Sequence, residues 1–170
     1  MQYVDGKTLA DRIKNKPLDL REALDVGIQI VEALAEAHSH GIVHRDIKPR
    51  NVMINTRGQV KVLDFGLVKV VGGTMGESDG DKRSSLLSRP GQHAGTPPYM
   101  SPEQACGAAV DARCDLFAVG VILYECLSGR RPFSGDTDEK ILAQVRYLHP
   151  PPPSRFKPCV RSKGVMRLHG

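Results

Sequence analysis

Asp46, Asn51 and Asp64 are two carboxylates and an amide, the side-chain types that hold a hard cation and, through it, a phosphate. The residues between them suggest how they meet. Val52, Met53 and Ile54 form one short β-prone run, and Val60, Lys61, Val62 and Leu63 form another. Asn55, Thr56, Arg57 and Gly58 between the runs carry the side chains of a tight turn. The pattern predicts a hairpin with Asn51 just before its first strand and Asp64 just after its second. Antiparallel strands set those two ends side by side, so an amide oxygen and a carboxylate converge on one cation. Asp46 lies on the loop that enters the hairpin, as a spare carboxylate able to act as a base. Magnesium and phosphate suit such an oxygen site.

The flanking sequence supplies the elements that must position this loop. Residues 19–40 read as a helix, with Leu20, Leu24, Ile28, Val31, Leu34, Ala35 and His38 as its apolar face and Gly41 as its stop. It ends where the loop begins and would underpin it; His38 and His40 read as packing or surface residues. Thr8 is placed to cap a short helix over Leu9–Lys14. Residues 111–127 are apolar almost all round, predicting a buried helix, with Asp115 near its start as a carboxylate that needs hydrogen bonds. Residues 136–148 predict one more amphipathic helix, and the four prolines 150–153 end regular structure. The class is α+β, mainly α, with a small β-hairpin.

Composition excludes several alternatives. Forty per cent apolar and 25% charged residues over 170 positions suit one globular domain with a real core. Cys106, Cys114, Cys126 and Cys159 have no CxxC spacing and read as reduced thiols of a cytoplasmic protein. No apolar run is long enough to span a bilayer, and the N-terminus has no signal-peptide pattern. The net charge of +5 resides in 154–170, where Arg155, Lys157, Arg161, Lys163 and Arg167 stand without an acid. The remaining 19 basic residues balance the 19 acidic ones. Such a tail either attaches to nucleic acid or anionic membrane, or is a solvated basic end. With Phe156 as its one aromatic and no helical period, the solvated reading is preferred, with no specific nucleic acid as partner.

His44-Arg45-Asp46-Ile47-Lys48-Pro49-Arg50-Asn51, followed by Asp64-Phe65-Gly66, resembles the catalytic and metal loops of the eukaryotic-type protein kinases, in their bacterial serine/threonine form. The resemblance implies the protein-kinase-like fold, ATP and Mg2+ as cofactors, and a protein substrate with a serine or threonine acceptor. It implies Asp46 as base, Lys48 steadying the transferred phosphoryl group, and Asn51 and Asp64 holding magnesium. Lys48 followed by Pro49 resembles the serine/threonine branch, not the tyrosine branch. His44 would pack beneath the site, although its type also suits a base. Arg45 would face an activation segment over 64–103 and make activity sensitive to a phosphate there. Ser88 is the first suspected phosphosite, though loop filler is the leading reading for any one serine there. The stretch from Gly95 to Glu103 resembles the substrate-binding loop and Ala-Pro-Glu motif, with Ser101 in place of alanine. Thr96 would bond Asp46 and Lys48, and Asp115 would accept from the backbone around His44 and Arg45. Gln2 and Val4 resemble hinge residues whose backbone bonds adenine, or else belong to a frayed end. Met53 would pack against the adenine, or is a plain core methionine.

By this resemblance residues 1–153 are the large, C-terminal lobe, and 154–170 an irregular basic tail. The family's small N-terminal lobe, with its glycine-rich loop, strand lysine and helix glutamate, has no counterpart in the 170 residues. Nor do the later helices that provide an arginine for Glu103. The expectation is therefore a serine/threonine kinase large lobe that is weakly active or inactive alone. A separately encoded N-terminal lobe or a frameshift would account for the pattern. The alternative is a non-catalytic kinase-like interaction module or gene fragment.

Overall fold

The computed structural model describes residues 6–14 and 16–64, the backbone of 69 and 70, and residues 95–156. Two antiparallel helices and a small sheet carry the functional loops. The element order is β1 (Gly6–Thr8), α1 (Leu9–Lys14), α2 (Leu20–Ser39), β2 (Ile42–Val43), β3 (Val52–Asn55), β4 (Val60–Val62), β5 (Lys69–Val70), α3 (Pro102–Ala105), α4 (Arg113–Ser128) and α5 (Asp138–Tyr147).

The expected hairpin is β3–β4, with Val52 opposite Val62 and Ile54 opposite Val60. Its turn is closed by Asn55, whose Oδ1 accepts from the N–H groups of Arg57 and Gln59, both at 2.9 Å. Two pairings were not foreseen. β1 adds to β3, with Thr8 opposite Met53, and β2 pairs with β5, with Ile42 opposite Val70. Runs of two or three residues carry too little alternation to be read as strands. Gln29 of α2 grips the hairpin, accepting from Val60 N at 2.9 Å and donating to Gly58 O at 3.2 Å.

Helix boundaries match expectation closely. Asp19 caps α2 by accepting from Glu22 N at 2.8 Å, and Thr8 Oγ1 caps α1 by accepting from Asp11 N at 3.1 Å. The predicted helices over 111–127 and 136–148 form as α4 and α5, each starting two residues later, with Thr137 capping α5.

The buried face of α2 differs from the sequence reading. Leu20, Leu24, Ile28 and Val31 are 40–55% exposed; Leu34 is buried as expected, but the rest of the core face is Ala23, Val26, Gly27 and Ile30. The helix carries two apolar stripes, and the one with smaller side chains faces inward because α4 approaches closely there. A Cβ on Gly27 would lie 2.8 Å from Leu123 Cδ2. Large side chains would hold the two helices apart. The same limit applies to α4: Cys114, Asp115, Ala118, Val119, Val121, Ile122 and Cys126 are buried, but Leu116 is exposed.

One core joins α1, α2, α4 and the hairpin around Leu9, Leu18, Ile30, Leu34, Val52 and Ile122. A second, around Met100, Val121, Phe133 and Leu142, seats α5 and the segment before α3. Gly129 ends α4 in the left-handed conformation (φ 71°), against Pro17. Burial pushes the Cys114 and Cys126 thiols up to about 12, so both stay protonated and unreactive at neutral pH.

Candidate active site

The loop between β2 and β3 is held by α4. Asp115 is 1% exposed and accepts from His44 N at 2.9 Å, from Arg45 N at 2.8 Å and from His38 Nε2 at 2.8 Å, with a weaker bond from the Cys114 thiol at 3.7 Å. The two backbone bonds fix Arg45 in a left-handed conformation (φ 68°), which a non-glycine residue keeps only where its surroundings impose it. From the opposite side Gln104 Nε2 donates to Arg45 O at 2.8 Å. The Arg45 backbone is thus clamped at its N–H and its carbonyl by residues far away in sequence. Arg45 Nε is buried and has no hydrogen-bond partner among the described residues.

His44 lies fully buried beneath the loop. Its Nδ1 accepts from Asp46 N at 3.3 Å, so the ring proton sits on Nε2, which donates to Leu63 O at 2.9 Å. Both nitrogens are committed to backbone, which leaves His44 no free lone pair for base catalysis and couples the loop to the end of β4.

Asp46 is held at both oxygens. Thr96 Oγ1 donates to Oδ1 at 2.9 Å, and Lys48 Nζ contacts Oδ2 at 2.5 Å. Lys48 Nζ also donates to Thr96 Oγ1 at 2.9 Å, closing a triangle of three side chains. Each carboxylate oxygen keeps a lone pair for a further donor.

Asn51 is buried, and its Nδ2 donates to Asp46 O at 3.0 Å, which leaves Oδ1 without a hydrogen bond among the described residues. The hairpin register continues one step past Val52–Val62: Leu63 N donates to Asn51 O at 2.8 Å, so Leu63 stands opposite Asn51 and Asp64 is the next residue along. Asp64 is exposed and left-handed (φ 58°). One uncommitted amide oxygen and one exposed carboxylate fit magnesium, which takes one or two protein oxygens and completes its shell with phosphate and water. Among the described residues no group of three His, Cys, Asp or Glu could hold a metal by itself.

Met53 is half-buried in β3 and absent from both core clusters, because strand alternation sends Val52 and Ile54 to the core and Met53 to the opposite face. Glu103 makes no ion pair among the described residues. Gln2, Val4, Phe65, Gly66 and Ser88, and the tail from 157 onward, lie outside the described residues.

Three contributors went unread in the sequence. His38, taken for a packing or surface residue, bonds the buried Asp115. Gln104 carried a usable signal: Ser101-Pro102-Glu103-Gln104 is a capping-box pattern, and both reciprocal bonds form. Tyr99 Oη donates to Glu125 Oε2 at 2.6 Å, and burial together with that carboxylate raises the phenol's pKa.

A family model described as the protein kinase domain matches residues 1–156. The chain belongs to the protein kinase domain family. Among its relatives is "Serine/threonine-protein kinase pkn3" of Myxococcus xanthus, 40% identical over 98% of this chain and 30% of the relative. "Serine/threonine-protein kinase PknB" of Mycolicibacterium smegmatis is 41% identical over 91% of this chain and 24% of the relative. The PknB of Mycobacterium tuberculosis is 39% identical over 91% and 23%. The chain thus spans less than a third of the length of these curated relatives. No helix among the described residues is long and apolar enough to cross a membrane.

Proposed function

We propose that this kinase-domain chain supplies the large lobe for phosphoryl transfer from magnesium-ATP to a serine or threonine hydroxyl of a protein substrate. The observation that carries the reading is the Asp46–Lys48–Thr96 triangle beside the adjoining Asn51 and Asp64. The names of the relatives, all serine/threonine kinases, support the acceptor class.

In this reading Asp46 takes the acceptor hydroxyl's proton on a free carboxylate lone pair as the oxygen bonds to the γ-phosphorus. The bond from phosphorus to the oxygen bridging the β-phosphate breaks, and ADP departs with that electron pair. Lys48 holds Asp46 in place and offers positive charge to the equatorial phosphoryl oxygens. Asn51 and Asp64 would hold magnesium, which screens the phosphate charges when bound. Thr96 orients Asp46 and ties it to the loop that would receive the substrate. Met53, turned away from the core, would meet the adenine, with Gln2 and Val4 as hinge residues. Arg45 would answer a phosphate on the segment 64–103, with Ser88 as candidate, and Glu103 and Asp115 would be structural anchors. Residues 1–153 would form the lobe and 154–170 its tail. A small lobe carrying the phosphate-covering loop and lysine would complete the site, so the 170 residues alone should transfer phosphate only weakly.

Calorimetric titration with ATP tests the reading. Saturable binding is expected in magnesium, and weaker binding in EDTA. Equal heats with and without the metal would favour a non-catalytic interaction module.

A further inference from the structure

A cleft of about 480 Å3 lies against the candidate base, a size typical of ligand pockets. Lys48 and Thr96, the two residues that bond the Asp46 carboxylate, form part of its wall. Lys14 from α1, Arg50 from the loop and Arg131 from beyond α4 line it as well. All three are exposed, and none makes an ion pair among the described residues. Among the described residues the lining contains one carboxylate, Glu125, and the Tyr99 hydroxyl donates to it. Lys48 is already matched by Asp46, so three unmatched cations face a single hydrogen-bonded anion.

We propose that this cleft receives the substrate segment flanking the acceptor hydroxyl and selects for acidic side chains there. The inference rests on the phosphoryl-transfer reading and adds the substrate class. A hydroxyl placed at Asp46 brings its neighbours in sequence past Lys48 and Thr96 into the cleft, under the potential of Lys14, Arg50 and Arg131. A concave site lined by one sign of charge concentrates field lines and raises the local concentration of oppositely charged ligand. The same field rejects lysine and arginine, so it both attracts one class and repels another. A peptide fits better than nucleic acid because the cationic side chains alternate with apolar wall from Ala10 and Ile13, and the one aromatic among the described lining residues, Tyr99, is only partly exposed and tied to Glu125.

Fluorescence anisotropy on the full chain tests this with three dye-labelled serine peptides, flanked by aspartate, by alanine or by lysine. The aspartate peptide is expected to bind tightest and the lysine peptide weakest, with the difference shrinking as salt is raised. Lys14→Glu, Arg50→Glu and Arg131→Glu should each weaken the aspartate peptide about fivefold. The triple variant should reverse the order of preference. Equal binding of the three peptides would overturn the proposal, as would an acidic preference that survives the triple variant. Competition by a single-stranded oligonucleotide of equal charge, as strong as by the aspartate peptide, would also overturn it. Binding is read here without nucleotide. Preference without phosphoryl transfer would therefore sink the catalytic reading alone, and transfer without preference would sink this one alone.

Discussion

Asp46→Asn is expected to lower phosphoryl transfer about 10²–10⁴-fold, the range by which a positioned general base accelerates a reaction. The amide is nearly isosteric with the carboxylate, so Thr96 still has an oxygen to donate to, and Lys48 loses its counter-charge but not its packing. What disappears is the ability to take a proton. The comparison should be made in the chain joined to a family small lobe, where the parent rate is measurable, by counting labelled γ-phosphate on a serine peptide. The unfolding midpoint should change little, which separates lost chemistry from lost fold. A variant that transfers phosphate at the parent rate would remove Asp46 from the role of base.

The second large effect concerns stability. Asp115→Ala should lower the unfolding free energy by about 3–5 kcal/mol, the usual consequence of removing one partner from a buried charged network. The carboxylate is buried and accepts from two backbone N–H groups and the His38 ring. Without it the buried His44 N–H and the part-buried Arg45 N–H lose their acceptor, and nothing at the N–H side imposes the left-handed backbone of Arg45. Asp115→Asn keeps the shape and one acceptor, so about 1–3 kcal/mol is expected. Urea denaturation read by far-ultraviolet circular dichroism gives both values from the midpoint and slope. If alanine costs less than about 1 kcal/mol, the clamp is not what holds the loop.

The ends of the hairpin and four of the helices could be read from the chain because each has a local cause. Asn55 and Gly58 specify the turn, Asp19 and Thr137 cap their helices, and the apolar density of 116–123 marks α4 as central. The hairpin that carries Asn51 and Asp64 at its ends could be read because a register of two short strands is a local pattern. His38 could not be read as a loop support, and Gln104 could be read as a helix cap but not as the partner of Arg45, because those partners lie 77 and 59 residues away and no local pattern encodes such a pairing. The inward face of α2 was misjudged for a different reason. Hydropathy ranks Leu24 and Ile28 above Ala23 and Gly27, but closest approach between helices selects for small volume, and the sequence alone does not say where that approach occurs. The cationic cleft is similar: Lys14, Arg50 and Arg131 belong to three separate segments, and only folding shows that they face one space.

The central claim is that Asn51 and Asp64 jointly hold a nucleotide-bound metal beside Asp46. Substituting paramagnetic Mn2+ for Mg2+ and following the NMR signals of the 170-residue chain with ATP tests it most directly. Broadening should be centred on the Asn51 side-chain amide and the Asp64 backbone amide, should require ATP for full effect, and should vanish in an Asn51→Ala, Asp64→Ala variant. Sharp signals at both residues while other regions broaden, or a pattern unchanged in that variant, would contradict it.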